Sequence, residues 1–140
     1  MLDEPVKVVA RYLDGRVVKG YTWNFFPDRP RFHISPVADK NSPYLEEVAL
    51  KDLKAVFFVK DFKGDPNYDE RRYFQDGEKL QGRKVKVHFL DGEMLVVTTL
   101  GYDPNRLGFF LLPVDPKSNN IRVFVVSSAI KSLNWSVATA

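Results

Sequence analysis

At 140 residues with 44% apolar content, the chain has material for one good core or two small ones, which excludes a multidomain enzyme. Its formal charge of +3 is scattered, with about +2 in residues 1–60, about −2 in 61–82 and about +3 in 83–140, well short of the concentrated field of a dedicated nucleic-acid binder. The absence of cysteine excludes disulfides, thiol nucleophiles and thiolate metal sites.

The N-terminal stretch MLDEPVKVVARYLDG lacks the positive start and long apolar run of a signal peptide. No run of about 18 apolar residues occurs, so a cytoplasmic protein without a membrane segment is expected. VKVVARYL then alternates and is rich in β-branched residues. Asp14-Gly15 follows as the turn of a two-residue type I′ hairpin, and RVVKGYTWNF returns as the second strand. The loop FPDRP leads into RFHISPV, the polar loop ADKNSPY into LEEVALK, and a short fifth strand, KAVFFVKDF, closes the run. DFKGDPNYDERRYFQDGEKLQG, from 61 to 82, reads as a polar acidic linker with room for a turn of helix around Asp69 to Phe74. The pattern then recurs: RKVKVHFL, the turn Asp91-Gly92, EMLVVTTLGY, the loop DPNRL, GFFLLPV, the loop DPKSNN, IRVFVVS and IKSLNW.

A constant shift of 77 residues aligns the two runs without a gap from about residue 8 to 58. Leu13, Asp14 and Gly15 meet Leu90, Asp91 and Gly92; Pro36 and Val37 meet Pro113 and Val114; Lys54 meets Lys131. Roughly a quarter of the aligned positions are identical, several-fold above chance. The expectation is an all-β protein of two tandem, strongly bent five-stranded barrels, with domain limits 1–60, 61–82 and 83–140.

The order Asp14, Gly15, Arg16, Gly20 and Phe25, answered by Asp91, Gly92, Tyr102 and Asp103, resembles the first motif of the Sm-like family. That family includes the Hfq-type bacterial RNA chaperones and the spliceosomal Sm proteins. The resemblance implies small barrels that join through their fourth and fifth strands, and it makes RNA binding one candidate function. The family's base-reading pair is missing, however, because Arg29-Pro30 and Arg106-Leu107 stand in its place. The stretch GYDPNRLGFFLLPVDPKSNNIRVFVV also resembles an uncharacterised family of bacterial tandem-repeat proteins, which implies no biochemical role.

His33 and His88, the two histidines, fall at unrelated strand positions, so no acid–base pair is expected, and neither is a metal or a cofactor. Arg29 and Arg106 share one loop position and, with Arg31, are candidate anion forks. A cyclic-dinucleotide receptor of the PilZ type would use such arginines, although its D/NxSxxG motif does not occur. Arg83, Lys84 and Lys86 are the candidate nucleic-acid contacts. Asp14, Gly15, Asp91 and Gly92 are assigned to turns. Two adjacent phenylalanines must face opposite sides of a strand, so one of each pair leaves its own core. The expected function is a non-enzymatic binding or adaptor module, acting on a protein partner or another copy through exposed strand edges at Val48, Val123 and Val125.

Overall fold

The computed structural model describes residues 3–136, so the outer limits expected at residues 1 and 140 lie outside the described residues. Ten strands form: β1 (Val6–Tyr12), β2 (Val17–Thr22), β3 (Arg31–Ile34), β4 (Glu46–Ala49), β5 (Leu53–Val59), β6 (Arg83–Phe89), β7 (Met94–Thr99), β8 (Gly108–Pro113), β9 (Asn120–Val126) and β10 (Ile130–Trp135). Two 3-10 turns, Leu50–Asp52 and Ser127–Ala129, precede β5 and β10. No helix forms around Asp69 to Phe74.

The two Asp-Gly hairpins are present, with a different turn from the one expected. Gly15 and Gly92 both have φ of 94°, while no other residue type has positive φ among the described residues, so Asp14 and Asp91 do not adopt the type I′ conformation. Each turn is a three-residue loop closed by a left-handed glycine. Gly15 N–H donates to Tyr12 O at 3.1 Å and Gly92 N–H to Phe89 O at 3.0 Å. The aspartates support the loops from the side: Asp14 Oδ1 accepts from Arg16 N–H and Asp91 Oδ1 from Glu93 N–H, both at 2.9 Å.

Two separate five-stranded barrels are not what folds. Eight strands make one antiparallel sheet in the order β10-β6-β7-β8-β9-β5-β1-β2, and β3 pairs with β4 in a small second sheet that touches β2 through the bridge Tyr21–Ser35. β5 lies directly against β9, from Ala55 opposite Val125 to Phe58 opposite Arg122. Strands from both expected units are therefore neighbours, and neither unit closes on itself. The physical reason is visible in β5 and β9, which are apolar on both faces and so cannot be outer strands. Leu53, Val56 and Phe58 of β5 join Phe124 and Val126 of β9 in one core, beneath β1, β3 and β4. Ala55 and, at its margin, Phe57 join Val123 and Val125 in a second core on the other face, against β6, β8 and β10. The sheet thus wraps one way around the first core and the opposite way around the second.

Close backbone approach holds this arrangement at two glycines. A Cβ at Gly108 would sit 2.1 Å from Val125 O and 2.8 Å from Phe124 Cε1, and one at Gly20 only 2.3 Å from Ser35 O.

The segment expected as a linker, 61–82, is fastened to the loop between β8 and β9. Buried Asp115 accepts hydrogen bonds from Arg71 N–H at 2.9 Å, Tyr68 O–H at 2.5 Å and Lys117 N–H at 2.9 Å. Arg71 donates to Val114 O at 2.7 Å and makes a two-pronged pair with Glu78. Asn119 Nδ2 donates to Asp61 O at 2.8 Å and its Oδ1 accepts from Asp61 N–H at 3.1 Å. The Arg71 N–H, and after it the Tyr68 hydroxyl, hold the Asp115 carboxyl below the usual carboxylate range, and the same bond pushes Tyr68 up to about 12.

Two outcomes are expected. Gly108→Ala should cost about 1–3 kcal/mol of unfolding free energy in urea, whereas Gly101→Ala, with nothing within 4 Å of the added methyl, should stay within about 0.5 kcal/mol of wild type. Asp115→Ala should cost about 1–3 kcal/mol, because it removes the buried acceptor shared by Tyr68, Arg71 and Lys117, and should speed hydrogen exchange across 61–82. A lowered folded pKa means that the wild-type contribution is complete above the unfolded value of about 3.9. It fades as pH falls through the lower folded value, so acid should loosen 61–82 in the same way.

Candidate functional site

A cleft of about 710 Å³ runs between the outer face of β1 and β5 and the strand β7, with 61–72 along one side. Its position follows from the opposed wrapping of the sheet, which turns the back of one curl toward the flank of the other, and junctions of this kind are common ligand sites. Strand alternation supplies the floor. On β1, Val8, Ala10 and Tyr12 enter the first core, which leaves Val9 and Arg11 on the opposite face, lining the cleft. Val59 and Phe57 of β5 line it as well.

The rim is basic. Arg11, Lys19, Lys63 and Arg72 reach the cleft, and among the described residues none has a carboxylate within 4.0 Å. Lys19 Nζ donates only to Phe62 O, at 3.3 Å, and the Arg11 guanidinium lies 5.5 Å from the centre of the Phe57 ring. Glu70 is the one carboxylate of the lining not taken up by a cation. Arg71 is held by Glu78 and is no free fork. Lys54, whose side chain is only 11% exposed, spans the two curls: its ammonium bonds Asp91 Oδ2 at 2.6 Å and Glu93 Oε1 at 2.5 Å, over the face of Phe89. The lysine, ahead of other causes, keeps the Asp91 carboxyl below its ordinary range.

β7 brings an open backbone edge to the same cleft. It pairs with β6 along its whole length, from Met94 opposite His88 to Thr99 opposite Arg83, but with β8 only at Val97 and Thr98. The closing bond from Phe89 N–H to Glu93 O, 2.9 Å, sets the alternation of the ladder. Leu95 and Val97 direct their N–H and C=O groups to β6, so those of Met94 and Val96 point outward. Because Pro113 has no N–H, its pairing with Val97 rests on the flanking bond from Val114 N–H to Val96 O, so the groups left open are those of Met94 and the Val96 N–H. Met94, Leu95 and Val96 all line the cleft.

The residues singled out by sequence are dispersed. Arg31 bonds Glu47 Oε1 at 2.6 Å, Arg106 lies 3.6 Å from Asp103 Oδ2, and Arg29 stacks 4.8 Å from the centre of the Phe26 ring. Arg106 lines a second pocket and the other two do not, so no symmetric pair of forks forms. On β6, Arg83 faces the side of Val85 and Val87 and stacks on Trp135 at 4.1 Å, while Lys84 and Lys86 take the opposite side, so the three share no surface. Val48, Val123 and Val125 are 0%, 2% and 0% exposed. Val123 and Val125 stand on β9, between β8 and β5, and offer no edge. His33 is bracketed by Asn24 at 2.9 and 3.0 Å, and His88 lies 3.3 Å from Asn134, so the two histidines serve separate local networks. Among the described residues no group of three or more side chains is placed to hold a metal ion, and no helix is long and apolar enough to cross a membrane.

Sequence reasoning passed over Arg11, Lys63, Arg72 and the outward half of β7. Arg11 carried a readable signal, since it shares a strand face with buried Val9. Lys63 and Arg72 carried none, because their place depends on how 61–82 docks. Lys54 and Lys131 are aligned by the 77-residue shift, yet Lys54 is buried against two carboxylates and Lys131 is exposed.

Removing the two carboxylates is expected to harm the fold more than removing the lysine, because a desolvated ammonium without partners is the costlier remnant. Asp91→Asn/Glu93→Gln should unfold at lower urea than Lys54→Met, by about 2 kcal/mol.

The family described as a family of unknown function, DUF6982, matches residues 4–136. No curated protein and no solved structure matches the chain. The family match crosses both expected barrels and the segment between them as one unit, and with the continuous sheet it overturns the tandem Sm-like reading. The chain belongs to the family of unknown function DUF6982.

Proposed function

We propose that this protein is a non-enzymatic binding module that captures an extended, acidic segment of a partner protein along the open edge of β7. One juxtaposition carries the reading: the outward N–H and C=O of Met94 and the outward N–H of Val96 face a cleft whose apolar floor is rimmed by four cations without carboxylate partners. A peptide entering as an added strand gains main-chain hydrogen bonds from β7, and its alternate side chains meet Val9, Phe57 and Val59. Carboxylates on the other face meet Arg11, Lys63 and Arg72, which steer encounter and select acidic sequences.

The edges at the two ends of the strand array suit this role less well. β4 carries Glu46 and Glu47, already paired with Arg16 and Arg31, and β10 carries Lys131, Ser132 and Asn134 along an exposed run. Charged and polar edges of this kind resist strand addition. RNA and cyclic dinucleotides are the competing ligands, and both would use the same cations. The open edge of β7 favours a peptide over either, since an extended main chain can pair with the outward groups of Met94 and Val96 as an added strand and a nucleotide cannot.

The test is an amide-resolved NMR titration with an eight-residue peptide of alternating Glu and Val, beside oligouridylate and cyclic di-GMP. The expected result is peptide-dependent shifts centred on Met94 and Val96, with affinity falling at least tenfold in Arg11→Glu/Arg72→Glu and in Val96→Pro. The proline removes an outward N–H that β6 does not use. The reading fails if the peptide causes no shifts up to about 1 mM, if the variants bind like wild type, or if a nucleotide ligand binds more tightly than the peptide.

A further inference from the structure

Away from the cleft, β9 presents one cation on an otherwise apolar surface. Arg122 belongs to the strand face of Phe124 and Val126, and its guanidinium carbon lies 4.5 Å from the centre of the Phe58 ring and 4.3 Å from that of Phe110. These two rings stand 6.0 Å apart and belong to an aromatic cluster with Phe25 and Phe124, in which the edge-to-face pairs have centroids 5.1 to 6.2 Å apart. Packing of this kind leaves Phe58 and Phe110 few alternative rotamers, so the surface on which the guanidinium rests is fixed in advance.

A guanidinium laid against aromatic rings is left with its in-plane N–H edge, the edge that matches a carboxylate, sulfonate or phosphate in two-pronged fashion. Among the described residues that edge has no carboxylate within 4.0 Å. Partial desolvation against the rings lowers Arg122 from its ordinary value, with no neighbouring charge contributing, while the residue stays exposed to solvent. A cation held at an apolar wall without a counter-charge is poised for an anion.

The wall belongs to a pocket of about 550 Å³, within the range of small-molecule sites. Leu100, Tyr102, Leu112 and Pro27 line it together with Phe109 and Phe110, and Arg106 stands beside Asp103, 3.6 Å from its Oδ2. Leu100 is 70% exposed, which leaves the mouth open to solvent. This combination distinguishes it from the basic cleft: one guanidinium resting on aromatic rings and a second, exposed one at the rim beside Asp103, the one carboxylate of the lining, over a surface that is otherwise mainly apolar.

We propose that this pocket binds a small amphipathic anion, an acidic head on an aromatic or aliphatic body, with the head paired to Arg122 and the body lying on Leu100, Tyr102 and Leu112. Arg106 closes over the head from the rim. Inorganic phosphate alone lacks the body and gains little from the pocket, and a neutral hydrocarbon of the same shape lacks the pairing. The site is separate from the cleft beside β7 and does not depend on the peptide reading.

The test uses 8-anilinonaphthalene-1-sulfonate as the amphipathic anion and N-phenyl-1-naphthylamine as its uncharged counterpart, both followed by fluorescence on the folded 140-residue chain. The expected result is one saturable site for the sulfonate, at least tenfold weaker binding of the amine, and a loss of at least tenfold in Arg122→Gln. Near-ultraviolet circular dichroism checks that Arg122→Gln keeps its packing. Leu100→Asp is the second variant, since an exposed carboxylate at the mouth should weaken the sulfonate without touching the core. The Glu/Val peptide should not displace the sulfonate. Equal binding of sulfonate and amine, or full retention of sulfonate binding in both Arg122→Gln and Leu100→Asp, would overturn the assignment.

Discussion

The seam between β5 and β9 is the contact on which everything else rests. Both strands are apolar on both faces, so each can be buried only between two layers, and pairing them lets one face of the seam serve one core and the other face the second. Fully burying a Val or Phe side chain contributes about 1.5–3 kcal/mol, and Val56, Phe58, Val123, Phe124 and Val125 are all nearly inaccessible. Separating the seam would expose a row of such side chains together with a row of backbone donors and acceptors. The continuous sheet is therefore the stable outcome, and independent barrels are not.

From that seam the position of both candidate sites follows. Because the sheet wraps toward opposite faces on either side of it, the back of the first curl and the flank of the second face each other across a cleft. Lys54, seated at the start of β5, reaches across to the turn of the other curl and binds Asp91 and Glu93, which fixes the angle at which the curls meet. On the opposite side of the seam Arg122 lies over Phe58 and Phe110, one ring from each side of its own strand, so the second pocket too exists only because β9 sits between β8 and β5. The segment 61–82, polar and without regular structure, is ordered by Asp115 and Arg71 and brings Lys63 and Arg72 to the cleft.

Much of the fold was legible as pattern. The alternation of VKVVARYL, the Asp-Gly turns and the regular spacing of proline and asparagine loops locate all ten strands, because those signals are local. The turn type differs from the expected one for a physical reason: Asp-Gly favours a two-residue turn in isolation, but Asp14 keeps negative φ and caps the loop through its side chain, leaving the left-handed conformation to Gly15 alone. The adjacent Phe57 and Phe58 do face opposite sides, as alternation requires, yet the sides turn out to be two faces of one sheet. The candidate edge residues Val123 and Val125 show the limit of such reasoning. Their β-branched run reads as a strand whether its neighbours are solvent or protein, and only pairing partners reveal which.

What the sequence determined by itself is the all-β class, the number and order of the strands, the two glycine-closed hairpins and the lack of thiol chemistry, since each follows from residue type and near-neighbour spacing. What only the tertiary structure decided is which strands lie side by side, which of the many arginines and lysines lack partners, and where backbone groups remain open. Those depend on contacts between residues far apart in the chain, such as Lys54 with Glu93 or Tyr68 with Asp115, and burial energy summed over the whole sheet selects them. No local pattern encodes such a sum.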